Sequence, residues 1–111
     1  MLLALLTGIA LAQPLPRLTL LKPDKVVEVS PGGSATVEMM GVNLELFRYG
    51  QVMEERRRLR EFTVELSEPS NDGSRRSVTL RASAATRPGV YELRLFTPTE
   101  HLVVPLEVQV R

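Results

Sequence analysis

A chain of 111 residues has room for one domain, and a hydrophobic share of 43% is too high for that domain to be disordered. Cysteine is absent, which excludes disulfides, thiolate metal sites, cysteine nucleophiles and a lipid-anchored cysteine, so packing alone must hold the fold. The 14 basic and 13 acidic residues leave a net charge of +1, without the basic excess expected of a nucleic-acid binder.

Residues 1–12, MLLALLTGIALA, are uncharged and apolar and end in Ala10-Leu11-Ala12 ahead of Gln13. An apolar run of this length, closed by small residues, has the form of a secretory signal peptide. No Lys or Arg precedes it, so its positive end is the α-amino group alone. The run is too short to cross a bilayer, which takes about 20 residues. Pro14 and Pro16 stop a helix from running on. The expected organisation is a signal peptide over 1–12 and one domain over 13–111. That domain is expected in the periplasm, at the cell surface or outside the cell, with no stable membrane span after cleavage. An uncleaved anchor and an N-terminal helix packed on the domain are the alternatives.

From Gln13 onward the pattern has period two, the mark of strands with one buried face. Leu18, Leu20 and Lys22 open a first strand, broken by Pro23-Asp24. Val27 and Val29 form a second, ended by the turn Ser30-Pro31-Gly32-Gly33-Ser34. Ala35, Val37 and Met39 alternate with Thr36, Glu38 and Met40, and Gly41 marks a bulge or strand end. Leu44 and Leu46 are expected to continue in extended form, with Phe47 on the other face. The stretch 54–61, EERRRLRE, interrupts the alternation. Its Glu54/Arg58 and Arg57/Glu61 spacings of i,i+4 predict an exposed helical turn.

Phe62, Val64 and Leu66 resume the alternation, and Pro69-Ser70-Asn71-Asp72-Gly73 reads as a hairpin loop. Val78, Leu80 and Ala82 then point inward, with Ser77, Thr79 and Arg81 outward. Arg87-Pro88-Gly89 turns the chain into Tyr91, Leu93 and Leu95. The last strand carries Leu102, Val104, Leu106, Val108 and Val110 on one face. Pro105 within it requires an edge position or a locally unpaired N–H. About seven or eight one-sided strands in so short a chain define an all-β sandwich or small barrel.

The segment Pro88-Gly89-Val90-Tyr91-Glu92-Leu93 resembles the Gly-x-Tyr start of strand F in immunoglobulin-like domains. That resemblance implies an immunoglobulin-like antiparallel β-sandwich of about seven strands. It implies that the Tyr91 hydroxyl bonds back to the backbone at the corner before strand F. It places Leu93 where such domains carry their second cysteine, with Val37 as the strand-B counterpart. Residues 29–44, VSPGGSATVEMMGVNL, are similar to the openings of Ig-like and IPT/TIG-type modules in exported bacterial proteins. The chain has no tryptophan, so Phe47 or Leu46 is expected where the family places its strand-C tryptophan.

Chemistry-bearing groups are thin. His101 is the one histidine, at the start of the last strand, and no Gly-x-Ser-x-Gly elbow accompanies it. Ser70, Asn71 and Asp72 read as turn formers; a calcium site takes 6–8 oxygen ligands, several of them carboxylates. Gly32-Gly33 lacks the lysine and helix of a phosphate loop, and no cofactor is expected. Phe62 and Tyr91 read as core, leaving Phe96, Tyr49 and Phe47 as candidate exposed rings, a poor sugar platform.

Arg56, Arg57, Arg58 and Arg60 form the candidate partner-binding patch, since arginine forks match carboxylates and phosphates. The plainer reading is a solvated, internally paired excursion. The expectation is therefore a noncatalytic interaction or structural module of the bacterial envelope. It would hold another envelope or secreted protein through loops or a strand edge. The alternative is a module binding a glycan or an anionic polymer.

Overall fold

The period-two alternation does produce strands with one face toward a shared core. The computed structural model describes residues 18–55 and 57–109; the expected signal segment, Arg56 and Val110 lie outside them. Among the described residues there are nine strands: β1 (Thr19–Lys22), β2 (Val27–Val29), β3 (Ser34–Val42), β4 (Tyr49–Glu54), β5 (Arg57–Arg58), β6 (Phe62–Leu66), β7 (Arg75–Ala82), β8 (Gly89–Phe96) and β9 (His101–Val108). One sheet has the order β1-β3-β7-β6 and the other β2-β9-β8-β4-β5. The expected strands are present except the one expected at Leu44 and Leu46. The count reaches nine because β4 and the two-residue β5 are added, while β1 and β2, expected as two strands, join different sheets.

Register keeps apolar residues opposite one another. Val37 faces Val78 and Ala35 faces Leu80 across β3 and β7, while Leu93 faces Val104 and Tyr91 faces Leu106 across β8 and β9. A slip of one residue would turn each of these sets to water, so the core fixes the pairing. Leu80, Leu93, Leu95 and Leu106 are fully buried between the sheets. On β3 it is Met39 that is fully buried, whereas Val37 is half-buried against the same core.

The expected turn before β3 has Gly33 N–H donating to Ser30 O at 2.8 Å, with Gly32 at φ 76°. Proline followed by a positive-φ glycine is the pattern of a type II turn. Gly41 lies within β3 opposite Leu20, and the irregularity sits on the partner strand, between Leu20 and Lys22. A side chain at Gly41 would collide with the Thr19 carbonyl, so glycine is what lets β1 close on β3.

Pro105 is not at an edge, because β9 lies between β2 and β8. The second alternative explains it. Gln109 N–H donates to Val29 O, so the odd-numbered residues of β9 turn their backbone polar groups toward β2. The register with β2 begins at Leu106, one residue after Pro105. The missing N–H therefore costs no ladder bond.

Two local expectations are corrected. Leu44–Leu46 is a 3₁₀ turn rather than a strand, entered through Asn43 at φ 61°. Positions i and i+3 share a side in a 3₁₀ turn, so Leu44 and Phe47 both enter the core. Phe47 is 1% exposed and Leu46 37%, so of the two it is Phe47 that fills the interior.

The stretch 54–61 forms a hairpin, not a helical turn. Met53 pairs with Arg58 and Glu54 with Arg57 across a tight bend at Glu55, φ 57°. Leu59 N–H then donates to Val52 O at 3.0 Å, and the Leu59 side chain is buried. Exposed i,i+4 charge pairs are worth about 0.2–0.5 kcal/mol each, whereas burying a leucine is worth about 1.5–3 kcal/mol. The leucine wins.

Candidate functional site

The turn at Arg87-Pro88-Gly89 delivers Tyr91 into the core at the start of β8, where its hydroxyl donates to Arg87 O at 2.6 Å. The Phe62 ring meets Tyr91 edge-on, with centroids 5.4 Å apart. Burial pushes the Tyr91 hydroxyl pKa up; Glu54 and Glu61 push the same way, and Arg87 and Arg57 oppose them. Replacing Tyr91 with Phe removes the bond and orphans a carbonyl, and is expected to cost about 1–2 kcal/mol of unfolding free energy. Urea titration of the two proteins measures it, and an unchanged midpoint would refute a structural role for the corner.

Four charged residues stand around this corner. The β4–β5 hairpin, the start of β6 and the connection 83–88 enclose a pocket of about 310 Å³. Glu54, Arg57, Glu61 and Arg87 form its exposed rim, and Thr86 and Tyr91 lie buried at its base. Thr86 is 5% exposed, and its hydroxyl lies 3.3 Å from that of Ser83.

Of the candidate patch, Arg57 and Arg60 are exposed at this end of the sandwich. Arg58 is in register with Met53, and Arg56 lies outside the described residues. The ion pairs among the described residues are Lys22–Asp24 at 2.6 Å and Glu92–Arg94 at 3.0 Å; the expected Arg57–Glu61 pair is not one of them. Arg87 enters the site from a segment read only as a turn.

A second arginine was not singled out from the sequence. Arg76, on β7, donates Nε–H to Ser67 O at 2.7 Å and Nη1–H to Leu44 O at 3.1 Å and Phe47 O at 2.7 Å. Burial lowers its pKa. Its parity with Val78 and Leu80 was the available signal: an inward-facing arginine must find carbonyls.

Tyr49, Phe96 and His101 form a row across β4, β8 and β9. The Tyr49 and Phe96 rings stack at 4.9 Å with planes 12° apart, and His101 follows at 5.4 Å from Phe96. Stacked rings cover one another's faces, so the row offers mainly ring edges to solvent rather than a platform for sugar. Phe47, expected as a possible third exposed ring, is instead in the core.

Asp72 lies in the loop between β6 and β7, where its Oδ1 accepts from Ser74 Oγ at 2.7 Å, Ser74 N–H at 3.0 Å and Ser70 Oγ at 2.8 Å. The Ser74 hydroxyl, then its N–H, then the Ser70 hydroxyl hold the carboxyl pKa down to about 2. The unfolded value is about 3.9, so this stabilisation is complete above about pH 4 and is lost as pH falls through about 2. Asp72→Asn is expected to flatten stability across that window, read from urea midpoints at stepped pH. Identical profiles would show that the turn does not depend on the carboxylate. Among the described residues no three His, Cys, Asp or Glu side chains converge to hold a metal, and no helix is long and apolar enough to cross a membrane.

Sheets of order β1-β3-β7-β6 and β2-β9-β8-β4-β5, with a tyrosine corner at the start of β8, make this chain an immunoglobulin-like β-sandwich. Among solved structures it is similar to surface layer protein SbsC, domains 4-9, with 22% identity and a TM-score of 0.56 over 87% of this chain and 15% of that one. SbsC domains 5-6 share 20% identity at a TM-score of 0.55, over 86% of this chain and 45% of theirs. Titin domain M7 shares 10% identity at a TM-score of 0.51, over 89% of this chain and 99% of its own. The chain thus spans less than half the length of these two S-layer chains. No family model and no curated protein matches it. At these identities the likeness is one of fold.

Proposed function

We propose that the chain is an exported, noncatalytic immunoglobulin-like module of the bacterial envelope that holds another envelope or secreted protein through the end bearing Arg57 and Arg60. The observation that carries this reading is the β4–β5 hairpin, which sets exposed arginines beside the charged rim of the pocket. Strand addition is the weaker route. β9 has β2 against its C-terminal half and Pro105 just before it, and β6 is flanked and interrupted by Glu61, Glu65 and Glu68. Fold similarity to domains of an S-layer protein supports an envelope setting. His101 has an aromatic ring, Phe96, as its described neighbour, which suits a surface residue rather than a general base.

Replacing Arg56, Arg57, Arg58 and Arg60 together by Ser is expected to abolish capture of a native envelope protein at low salt, where exposed charges are least screened. Undiminished capture would sink this reading. Retention on polyglutamate with no protein captured would instead assign the patch to an anionic polymer. Intact mass of the exported form is expected to begin at Gln13, and a mass beginning at Met1 would overturn cleavage.

A further inference from the structure

We propose that the pocket between the β4–β5 hairpin and the connection 83–88 binds a group presenting a carboxylate and an ammonium side by side, as in a dipeptide or a mixed-charge peptide segment. The proposal deepens the reading above by naming what this end of the sandwich holds, and rests on it only for the use of this end in binding.

At about 310 Å³ the pocket falls at the lower end of small-ligand sites. Its rim carries two guanidinium groups, Arg57 and Arg87, and two carboxylates, Glu54 and Glu61. None of the four belongs to an ion pair within 4 Å among the described residues. All four act on the Tyr91 hydroxyl, so their fields converge on one place.

A lone anion entering here meets two carboxylates, and a lone cation meets two guanidiniums. A ligand with both charges satisfies both pairs, because guanidinium forks match a carboxylate while the glutamates take the ammonium. The base of the pocket supplies neutral partners as well. The Tyr91 hydroxyl donates to Arg87 O, which leaves its oxygen able to accept from an ammonium group. The Thr86 hydroxyl, with Ser83 its partner, has a further bonding position.

The test is a titration of the ¹⁵N-labelled full chain with the dipeptide Lys-Glu, with acetate and methylammonium as single-charge controls. Saturable shifts at the amides of Thr86, Arg87 and Tyr91 are expected for the dipeptide and not for either control. Saturation only with a blocked Lys-Glu-Lys-Glu peptide would assign the source to a segment of a partner protein. Arg87→Gln, which keeps the carbonyl that Tyr91 uses, and Glu61→Gln are each expected to weaken binding about tenfold, the loss of one charge-assisted bond. Unchanged melting of both variants establishes that they fold. Acetate alone saturating as tightly as the dipeptide overturns the proposal, and so does the absence of saturable shifts with both peptides at millimolar concentration. Arg60 lies outside the pocket, so Arg60→Ser is expected to leave dipeptide binding intact while weakening partner capture. The two readings thus fail separately.

Discussion

Replacing Phe47 with Ala is expected to lower the unfolding free energy by about 3–5 kcal/mol, the range for deleting a buried aromatic ring. Phe47 is almost wholly enclosed where the chain leaves the 3₁₀ turn for β4, in a core with no disulfide to stiffen it. The surrounding strands are held by registers on both sides and collapse only partly around the gap. Leu46→Ala is the control, because that side chain faces solvent; its cost should stay within about 0.5 kcal/mol. Urea unfolding followed by circular dichroism gives both values. Equal losses at the two positions would remove Phe47 from the core.

Arg76→Met should cost about 3 kcal/mol, since the thioether keeps much of the aliphatic stem but abandons three carbonyls, each formerly bonded to a charged donor. The guanidinium ties Ser67, at the end of β6, to Leu44 and Phe47, on either side of Leu46. Arg76→Lys should recover only part of the loss, because an ammonium cannot reach three carbonyls with the geometry of a planar fork. Hydrogen exchange supplies a local readout. The Leu46 and Phe47 amides, bonded to Asn43 O and Leu44 O, should exchange faster in Arg76→Met than amides at the centre of β8. Uniform acceleration would mean that Arg76 acts on global stability alone.

The long strands were legible because each has one wet and one dry face, and period two is the direct imprint of that geometry. Tyr91 was legible through the resemblance of Gly89-Val90-Tyr91 to the start of strand F in immunoglobulin-like domains, and its hydroxyl does bond to the Arg87 carbonyl. Leu44–Phe47 was misread for a physical reason: two leucines two apart imitate a strand, while the decisive pair, Leu44 and Phe47, is three apart. The hairpin after Glu54 was misread because local charge pairing was weighed without the one leucine among the arginines. At the site, Arg57 and Arg60 could be found from the run that contains them. Glu54 and Glu61 belong to the same run, but Arg87 and Thr86 could not be found, because their place beside it depends on a distant connection folding back against the hairpin.

The parallel pairing of β2 with β9 has a mechanical consequence. β2 runs parallel to β9, the last strand, and on its N-terminal side it is preceded by β1, which is paired with β3 in the other sheet. Once β1 has left β3, tension from the two sides pulls β2 backward and β9 forward along the same axis. The contacts from Val27–Leu106 to Val29–Val108, with the Gln109-to-Val29 bond, are loaded together in shear instead of peeling one at a time. β2 thus meets such a pull in shear, the direction in which its three register positions and the Gln109 bond must give way together.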